Sequence, residues 1–261
     1  MTIDPTARIE DGAVVGQGTS IGPFCHIGPD VVIGADCRLM AHVNVTARTT
    51  IGDGCTIYPF VSLGTAPQSL KHNGELTRLQ IGRGCTIREH VTMNAGTVAG
   101  GGITSVGDRG TFMNCSHVGH DCRVGSDVIF AASATLGGHC EVGDFVSMGS
   151  LAAAHQFVRI GSQAMVAATS CVRGDVIPFG LASGQYANLE GLNTVAMERH
   201  NFARERLAVI GMFYQKLFHG AGVFAERLCE ARERAAADPA IAEILAFIGA
   251  DSHRSLCLPR Y

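Results

Sequence analysis

The sequence has no tryptophan, and only 16% of its 261 residues are charged. Its formal net charge of -3 leaves no basic excess, which excludes a general nucleic-acid binder. No apolar run reaches the roughly 18 residues that a membrane-spanning helix needs. The N-terminus, Met1-Thr2-Ile3-Asp4-Pro5, lacks the basic and then apolar regions of a secretory signal, so the expected compartment is the cytoplasm. No C-x-x-C pair occurs among the ten cysteines, which argues against a zinc ribbon. Glycine (33 residues) and aliphatic side chains are abundant instead. The length suffices for one large domain or two modest ones with a real core.

The aliphatic residues recur with a period of six. From Ile3 the series runs Ile9, Val15, Ile21, Ile27, Ile33, Leu39, Val45, Ile51, Ile57 and Leu63. It is lost from Gly64 to Gln80, resumes at Ile81, Ile87 and Met93, and breaks again around Thr97 to Ser105. It restarts one residue out of step at Val106 and continues through Phe112, Val118, Val124, Phe130, Leu136, Val142, Met148, Ala154, Ile160, Val166 and Val172. A period of six is neither helical nor a simple alternating strand. It suits a solenoid of short strands, in which an aliphatic residue and a small residue two positions earlier both point inward. Cys25, Cys37, Cys55, Cys85, Cys122 and Cys140 occupy the small-residue phase and read as buried thiols rather than disulfides. The three residues that follow each aliphatic position form a corner, where Gly, Asp and Asn tolerate unusual backbone angles. Three such sides make a triangular coil of eighteen residues. This repeat is similar to that of the hexapeptide-repeat acyltransferases, which implies a left-handed parallel β-helix.

The two interruptions carry chemistry. The first, about 64–80, contains Pro67-Gln68-Ser69-Leu70-Lys71-His72-Asn73-Gly74-Glu75, and a long excursion from a rigid scaffold is usually functional. The second, about 96–105, is glycine-rich but lacks the residue order of a P-loop, so it reads as a flap or a subunit contact. Beyond it lies His117-Val118-Gly119-His120-Asp121-Cys122. With eighteen residues per coil and ~4.8 Å between strands, Gly138 stacks on His120, His139 on Asp121, and Gln156, beside His155, one coil further. His120 and Asp121 are expected at a corner, facing out.

Three readings of this column compete: solvated polar corners; a metal site, which needs three converging ligands; and general-base catalysis. In the last, a neutral imidazole takes the proton, a carboxylate fixes its tautomer, and the bare N–H of Gly138 faces a developing oxyanion. No Ser or Cys stands in the same corner column, so direct attack by a substrate hydroxyl is the economical mechanism. Asp121 beside His120 favours the oriented base, and no metal is expected.

These motifs, with Ile87-Arg88-Glu89, Gly96-Thr97, Leu136-Gly137-Gly138-His139 and Ala154-His155-Gln156-Phe157, resemble the UDP-N-acetylglucosamine O-acyltransferase family of lipid A biosynthesis, in order and along nearly the whole chain. The resemblance implies His120 as general base, Asp121 as its support and Gly138 as oxyanion donor. It implies substrate contacts from Gln68, Ser69, Lys71, His117, His139, His155, Gln156, Ala168, Asn193 and Arg199, with Ala168 setting acyl length. It further implies transfer of a (3R)-hydroxyacyl group from acyl carrier protein to the sugar 3-hydroxyl of a UDP-sugar, by a homotrimer with sites between subunits. No cofactor is expected beyond the phosphopantetheine that arrives on the carrier. Ser69 stands where the family usually has Asp, Asn94-Ala95 where many members have His-Arg, and Val195 where the family has Glu, which puts the exact sugar in question.

The repeat stops after Pro178. Residues 1–187 read as the coil and 188–261 as a C-terminal helical domain. Phe202 to His219 is apolar at helical intervals, with Asn201 as N-cap and Gly220 as stop. Val223 to Ala237 reads as a second helix, and Asp238-Pro239 opens a third through Ile248. Arg199, Arg204, Arg206, Lys216, Arg227, Arg232 and Arg234 give this region a basic cast that suits an acidic partner such as acyl carrier protein, or simply a solvated face. The alternatives are an N-acyltransferase acting on an amino-sugar nucleotide, a metal-dependent hexapeptide hydratase, and a non-catalytic trimeric scaffold. The N-acyltransferase of a later lipid A step carries an extra N-terminal nucleotide-binding domain, and entry into the repeat at Ile3 argues against it.

Overall fold

The computed structural model describes residues 2–233 and 238–260. Each aliphatic position of the period falls in a short strand, most of them two residues long. Successive strands fall in turn on three sheets of eleven, nine and eight strands, here sheets I, II and III, parallel but for the last strand of sheet I. Ile3 pairs with Ile21 and Ile27 with Val45, so one coil is eighteen residues and the fold is a left-handed parallel β-helix.

The register explains the two lapses of the period. Ile57 pairs with Ile87, thirty residues on, so the first excursion inserts two whole hexads and leaves the phase intact. Ile87 pairs with Phe112, twenty-five residues on, so the second inserts one residue more than a hexad and shifts everything after it by one. Strands Ser62–Thr65 and Arg78–Ile81 bound the first excursion, and Thr92–Asn94 and Ile103–Val106 the second. The first is therefore narrower than expected, because Gly64-Thr65 and Arg78-Leu79-Gln80 pair as strand.

The interior is a continuous aliphatic column interrupted by Phe112 and Phe130, both fully buried with ring centroids 5.0 Å apart. Each such side chain contributes roughly 1.5–3 kcal/mol by leaving water. All six cysteines of the small-residue phase are buried and free. They do more than fill space. Cys37, Cys122 and Cys140 direct their thiols to the carbonyls of Gly52, Gly137 and His155 at 3.2, 3.1 and 3.2 Å, where Thr19 directs its hydroxyl to Gly34 at 2.8 Å. Inward-facing carbonyls at the corners thus gain a donor that alanine could not supply.

The corners meet the expectation of Gly and Asp only in part: Gly12, Gly18, Asp36 and Asp127 are left-handed, but larger side chains are too. Their left-handed positions hold Phe24, His42, Phe60, His90, His139 and Phe157 among others, with φ between 58° and 65°. The strain of such a residue is offset by stacking on its equivalent one coil on: Phe24, His42, Phe60 and His90 form a parallel ladder with centroids 4.9 to 5.1 Å apart.

Strand Gly180–Ser183 extends sheet I, and Asn188–Leu192 closes it by antiparallel pairing. Residues 188–192 therefore pair with the coil, and the helices begin later. Helix α1 (Thr194–Arg199) is capped by Asn193, whose side chain accepts from Ala196 N. The apolar periodicity did not reveal this short helix. Asn201 is not an N-cap: it follows α1 with φ 62°, and α2 (Arg204–His219) starts after Ala203 without a side-chain cap. The turn of left-handed backbone between α1 and α2 takes the place of the longer helix read from the sequence. Helix α3 (Phe224–Glu233) covers the described part of the second expected helix; its end and Arg234 lie outside the described residues. Helix α4 (Pro239–Gly249) begins at the Asp238 cap with proline in the first turn, as the sequence indicates. Two of the basic residues are spent internally: Arg206 pairs with Asp238 at 2.7 Å, and Arg227 donates to the carbonyls of Leu217, Gly220 and Gly222 that close α2.

Candidate active site

Three corners run the length of the coil, and one of them, between sheets II and III, gathers most of the unusual residues. Both excursions leave the coil here, after strands Ser62–Thr65 and Thr92–Asn94 of sheet II. The next coil places His120 and Asp121 here after strand His117–Val118. Gly138 and His139 follow one coil on, and His155, Gln156 and Phe157 one coil further. The eighteen-residue stacking predicted from the phase holds: His139 N–H donates to the His120 carbonyl at 2.8 Å, and Phe157 N–H to that of Gly138 at 3.1 Å.

His120 and Asp121 lie at the corner as expected, but they are not open to solvent: they are 8% and 7% exposed. The second excursion folds back over them. Thr97 donates its backbone N–H to Asp121 Oδ1 and its hydroxyl to Oδ2, both at 2.7 Å. Gly100 lies so close that an added Cβ would stand 2.1 Å from the carboxyl carbon, so glycine is required for the approach. The glycine-rich loop is thus a lid on a carboxylate rather than a cradle for phosphate, because its N–H of Thr97 is already given to Asp121. From below, the buried hydroxyl of Thr104 accepts the Asp121 N–H at 2.8 Å. Thr104 was invisible to motif reading, since it occupies an ordinary strand position and only coil stacking places it under Asp121.

The remaining donor on Asp121 is His120, with Nδ1 2.8 Å from Oδ2. An ionised carboxylate only accepts, so Nδ1 carries the proton and Nε2 of the neutral ring keeps its lone pair. The imidazole lies against the α-carbon of Gly138: a Cβ there would stand 2.5 Å from Cε1 and 2.7 Å from Nε2. Gly138, itself buried, therefore leaves room for the ring, and its N–H has no acceptor among the described residues. His139 packs edge-on to His120 with centroids 5.0 Å apart and places Nε2 3.6 Å from Asp121 Oδ2. Burial lowers the pKa of His139, with Asp121 pulling it partly back and His120 and His253 pushing it down. His117 donates or accepts at Thr92 Oγ1, 2.7 Å from Nδ1, on the outer face of sheet II. Burial, and then the neighbouring His120, lower its pKa too.

His120, Asp121 and His139 offer three donor atoms within 4.8 Å of one another. Both oxygens of Asp121 are nevertheless filled by Thr97 and His120 donors. A cation would have to displace these hydrogen bonds, and the arrangement is better suited to proton transfer than to ligation.

The other residues singled out from the sequence divide by corner. Gln68, Ser69 and Lys71 lie on the first excursion, on the same corner two coils below His120, with Leu70 between them fully exposed. Ser69 Oγ accepts weakly from Lys71 N at 3.4 Å. Asn94 and Ala95 are buried, and the Asn94 amide ties down the root of this excursion by donating to Thr65 Oγ1 and the Ala66 carbonyl at 3.0 and 3.2 Å. Ala168 lies on a different corner, between sheets I and II, against Gly149 of the coil below. Asn193 donates to the Gln163 carbonyl at 2.8 Å, on the corner between sheets III and I, and Arg199 is exposed at the end of α1 nearby, where His200 packs on Phe145. One chain thus brings together His120, Asp121, Gly138, His139, His155 and Gln156, but not Ala168, Asn193 or Arg199. Two contributors were missed. His253 and Arg254, in the tail after α4, reach the histidine corner: His253 packs on Phe157 at 5.0 Å, and Arg254 donates to the Gln156 carbonyl at 2.8 Å. The tail has no coil coordinate, so no sequence signal placed them.

The chain as a whole is similar to known proteins. Residues 175–257 match the family model described as "Udp N-acetylglucosamine O-acyltransferase; Domain 2", and residues 12–47 and 30–65 match that for six bacterial transferase hexapeptide repeats. The acyl-[acyl-carrier-protein]–UDP-N-acetylglucosamine O-acyltransferase of Azorhizobium caulinodans is 53% identical over 98% of this chain and 95% of its own length. The protein of the same name from Caulobacter vibrioides is 47% identical over 99% and 98%. Among solved structures, the UDP-N-acetylglucosamine O-acyltransferase of Moraxella catarrhalis superposes with a TM-score of 0.94, at 36% identity, over 98% of this chain and all of that one. Identity at this level along the whole length, coil and helices alike, shows that the chain belongs to the family of acyl-[acyl-carrier-protein]–UDP-N-acetylglucosamine O-acyltransferases.

Proposed function

We propose that this chain transfers a (3R)-hydroxyacyl group from acyl carrier protein to the 3-hydroxyl of UDP-N-acetylglucosamine, the first step of lipid A biosynthesis, with His120 as general base. The observation that carries the reading is the His120–Asp121 pair, its tautomer set by the 2.8 Å hydrogen bond and its Nε2 side lying against bare Gly138. The sugar hydroxyl attacks the thioester carbonyl carbon while His120 Nε2 takes its proton. Negative charge gathers on the carbonyl oxygen, toward which the Gly138 N–H donates. Collapse breaks the C–S bond, and the imidazolium returns its proton to the departing thiolate of the carrier's phosphopantetheine. Asp121 stabilises the imidazolium between these steps and stays ionised, held by Thr97. No resident cofactor or metal enters this scheme.

Asn193 and Arg199 are proposed to hold the nucleotide diphosphate, and Ala168 to limit acyl length. Because they lie on corners other than that of His120, a complete site takes corners from neighbouring copies in a homotrimer. Gln68, Ser69 and Lys71 reach the acyl donor from the first excursion. Among the described residues no helix is long and apolar enough to cross a membrane, and the reading places the enzyme in the cytoplasm, where both substrates would be supplied.

The test is an assay with purified protein, UDP-N-acetylglucosamine or its 3-amino analogue, and hydroxyacyl carrier proteins of several lengths. His120→Ala should lower kcat by about 10²–10⁴-fold, as expected for loss of a general base, while the oligomer and its melting temperature are retained. Near-normal turnover in this variant would remove the mechanism, and transfer only to the amino analogue would change the acceptor.

A further inference from the structure

The tail after α4 is fastened to the coil by a buried polar knot. Asp175, 1% exposed, accepts from Arg159 Nε at 2.7 Å and from Ser252 Oγ at 2.6 Å. Asp175 N–H also donates to the Ser255 carbonyl, and Cys257 N–H to that of Asp175, both at 2.8 Å. Arg159 meanwhile lies over the Phe247 ring of α4. Residues 252–257 therefore approach the histidine corner from a fixed base, although the segment has no helix or long strand of its own. Two of its side chains extend over that corner. His253 continues a column of rings that runs His120, His139, Phe157. Arg254 donates Nε to the Gln156 carbonyl at 2.8 Å and presents Nη2 to His155 Nδ1.

A guanidinium has five N–H donors and no acceptor, so the imidazole nitrogen it meets must supply the lone pair. His155 Nδ1 is then bare, and the proton of the neutral ring sits on Nε2. This is the opposite tautomer from His120, whose Nδ1–H is given to Asp121. Two imidazoles on one corner, two coils apart, are wired in opposite senses: Asp121 makes the Nε2 of His120 a proton acceptor, and Arg254 makes the Nε2 of His155 a proton donor.

We infer that Arg254 is a positioning residue that holds His155 as a hydrogen-bond donor to an anionic or carbonyl oxygen of a substrate. The inference rests on the acyltransferase reading above and adds a residue and a role to it. The partner oxygen belongs either to the nucleotide diphosphate or to the acyl donor, and the two are separated by which KM changes. Arg254 suits the task because it is charged at every working pH and its planar fork spans the carbonyl and the ring together.

Full-length wild type and the variants Arg254→Gln, Arg254→Met, His155→Ala and the double variant Arg254→Met/His155→Ala are compared by steady-state kinetics with each substrate varied. Their melting temperatures are measured in parallel. Arg254→Met should raise one KM by about tenfold, the loss of one hydrogen bond to a charged or strongly polar group, with kcat within about twofold. Arg254→Gln, which retains an N–H donor, should recover much of that loss. In the His155→Ala background Arg254→Met should add nothing, because the effect passes through the ring. ¹⁵N spectra of histidine-labelled wild type should show the His155 proton on Nε2, shifting toward a tautomer mixture in Arg254→Met. Additive losses in the double variant, or a His155 proton on Nδ1 in wild type, would overturn the inference. The tautomer is read without turnover, so a protein that fails to transfer acyl groups but shows the Nε2–H ring would refute the activity and leave the wiring standing.

Discussion

The corner between sheets II and III and the corner between sheets I and II share one backbone. Asp121, His139 and Phe157 on the first, and Phe24, His42, Phe60 and His90 on the second, all occupy the left-handed region within a few degrees of 60°. Both corners stack aromatic rings at about one strand spacing. Yet one is an open ladder, with Phe24 and Phe60 60% and 51% exposed, and the other is roofed by a lid, lined by a carboxylate and clamped by a C-terminal tail. The difference shows that the coil supplies the placed side chains, and that their seclusion comes from elsewhere. What interrupts the coil sets the environment of its residues: the seven extra residues of the second excursion bury Asp121 and supply its Thr97 donors.

The comparison is tested most strongly by making the same change on a covered and an uncovered corner. Asp121 and Asp36 are both left-handed aspartates, at φ 61° and 54°, but Asp36 is exposed on the corner between sheets III and I. Asp121→Asn should cost about 10²–10⁴ in kcat, because an amide no longer fixes His120 with its proton on Nδ1. Asp36→Asn should leave kcat unchanged and stability within about 0.5 kcal/mol. Equal effects on activity would erase the distinction between a covered corner and an uncovered one. A smaller loss is expected from Gly138→Ala. Its methyl would meet the His120 ring at 2.5 Å, so the ring must move, and kcat should fall about 10²-fold with little change in melting temperature. Unchanged kcat would mean that His120 does not work against Gly138.

The smallest effect is a pH dependence of stability. Burial holds His117 below the ordinary histidine value of 6.5, and His139 is lowered for the same first reason. Between the lowered value and 6.5 the unfolded chain binds more protons than the folded one, so stability rises with pH through that window. The full contribution is present above about pH 6.5 and is lost as pH falls through the folded-state values. Denaturant midpoints measured from pH 7.5 down to 5.5 should therefore decline, and His117→Gln should flatten part of that decline. A slope identical in His117→Gln would show that burial of this ring is not what is being titrated.

Much of this was legible before any coordinates. The six-residue period placed strands, coil length and the stacking of Gly138 and His139 on His120, because a rigid repeat turns sequence distance into spatial distance. Wherever the chain leaves the repeat, that conversion stops. Nothing in Gly96-Thr97-Val98-Ala99-Gly100 says that the loop turns back onto Asp121 instead of away, so the burial of the outward-facing pair is not legible. The tail residues His253 and Arg254 lie some hundred positions from His155 and were missed for the same reason. Helix α1 is too short for periodicity to show, and for its cap, Asn193, the resemblance implies only a ligand contact. Family resemblance supplied roles for Ala168, Asn193 and Arg199 that single-chain geometry does not gather, and this is what makes a neighbouring copy necessary to the account.

Subunit complementation tests that necessity most directly. His120→Ala and Arg199→Ala proteins, each nearly inactive, are unfolded together, refolded as mixed oligomers and assayed beside each variant refolded alone. Sites shared between copies predict recovery of roughly a quarter to a third of wild-type activity in the mixture, since some interfaces then carry both native residues. Mixed oligomers no more active than the separate variants would show that His120 and Arg199 serve one site within a single chain, or that they do not serve the same site, and would contradict the account.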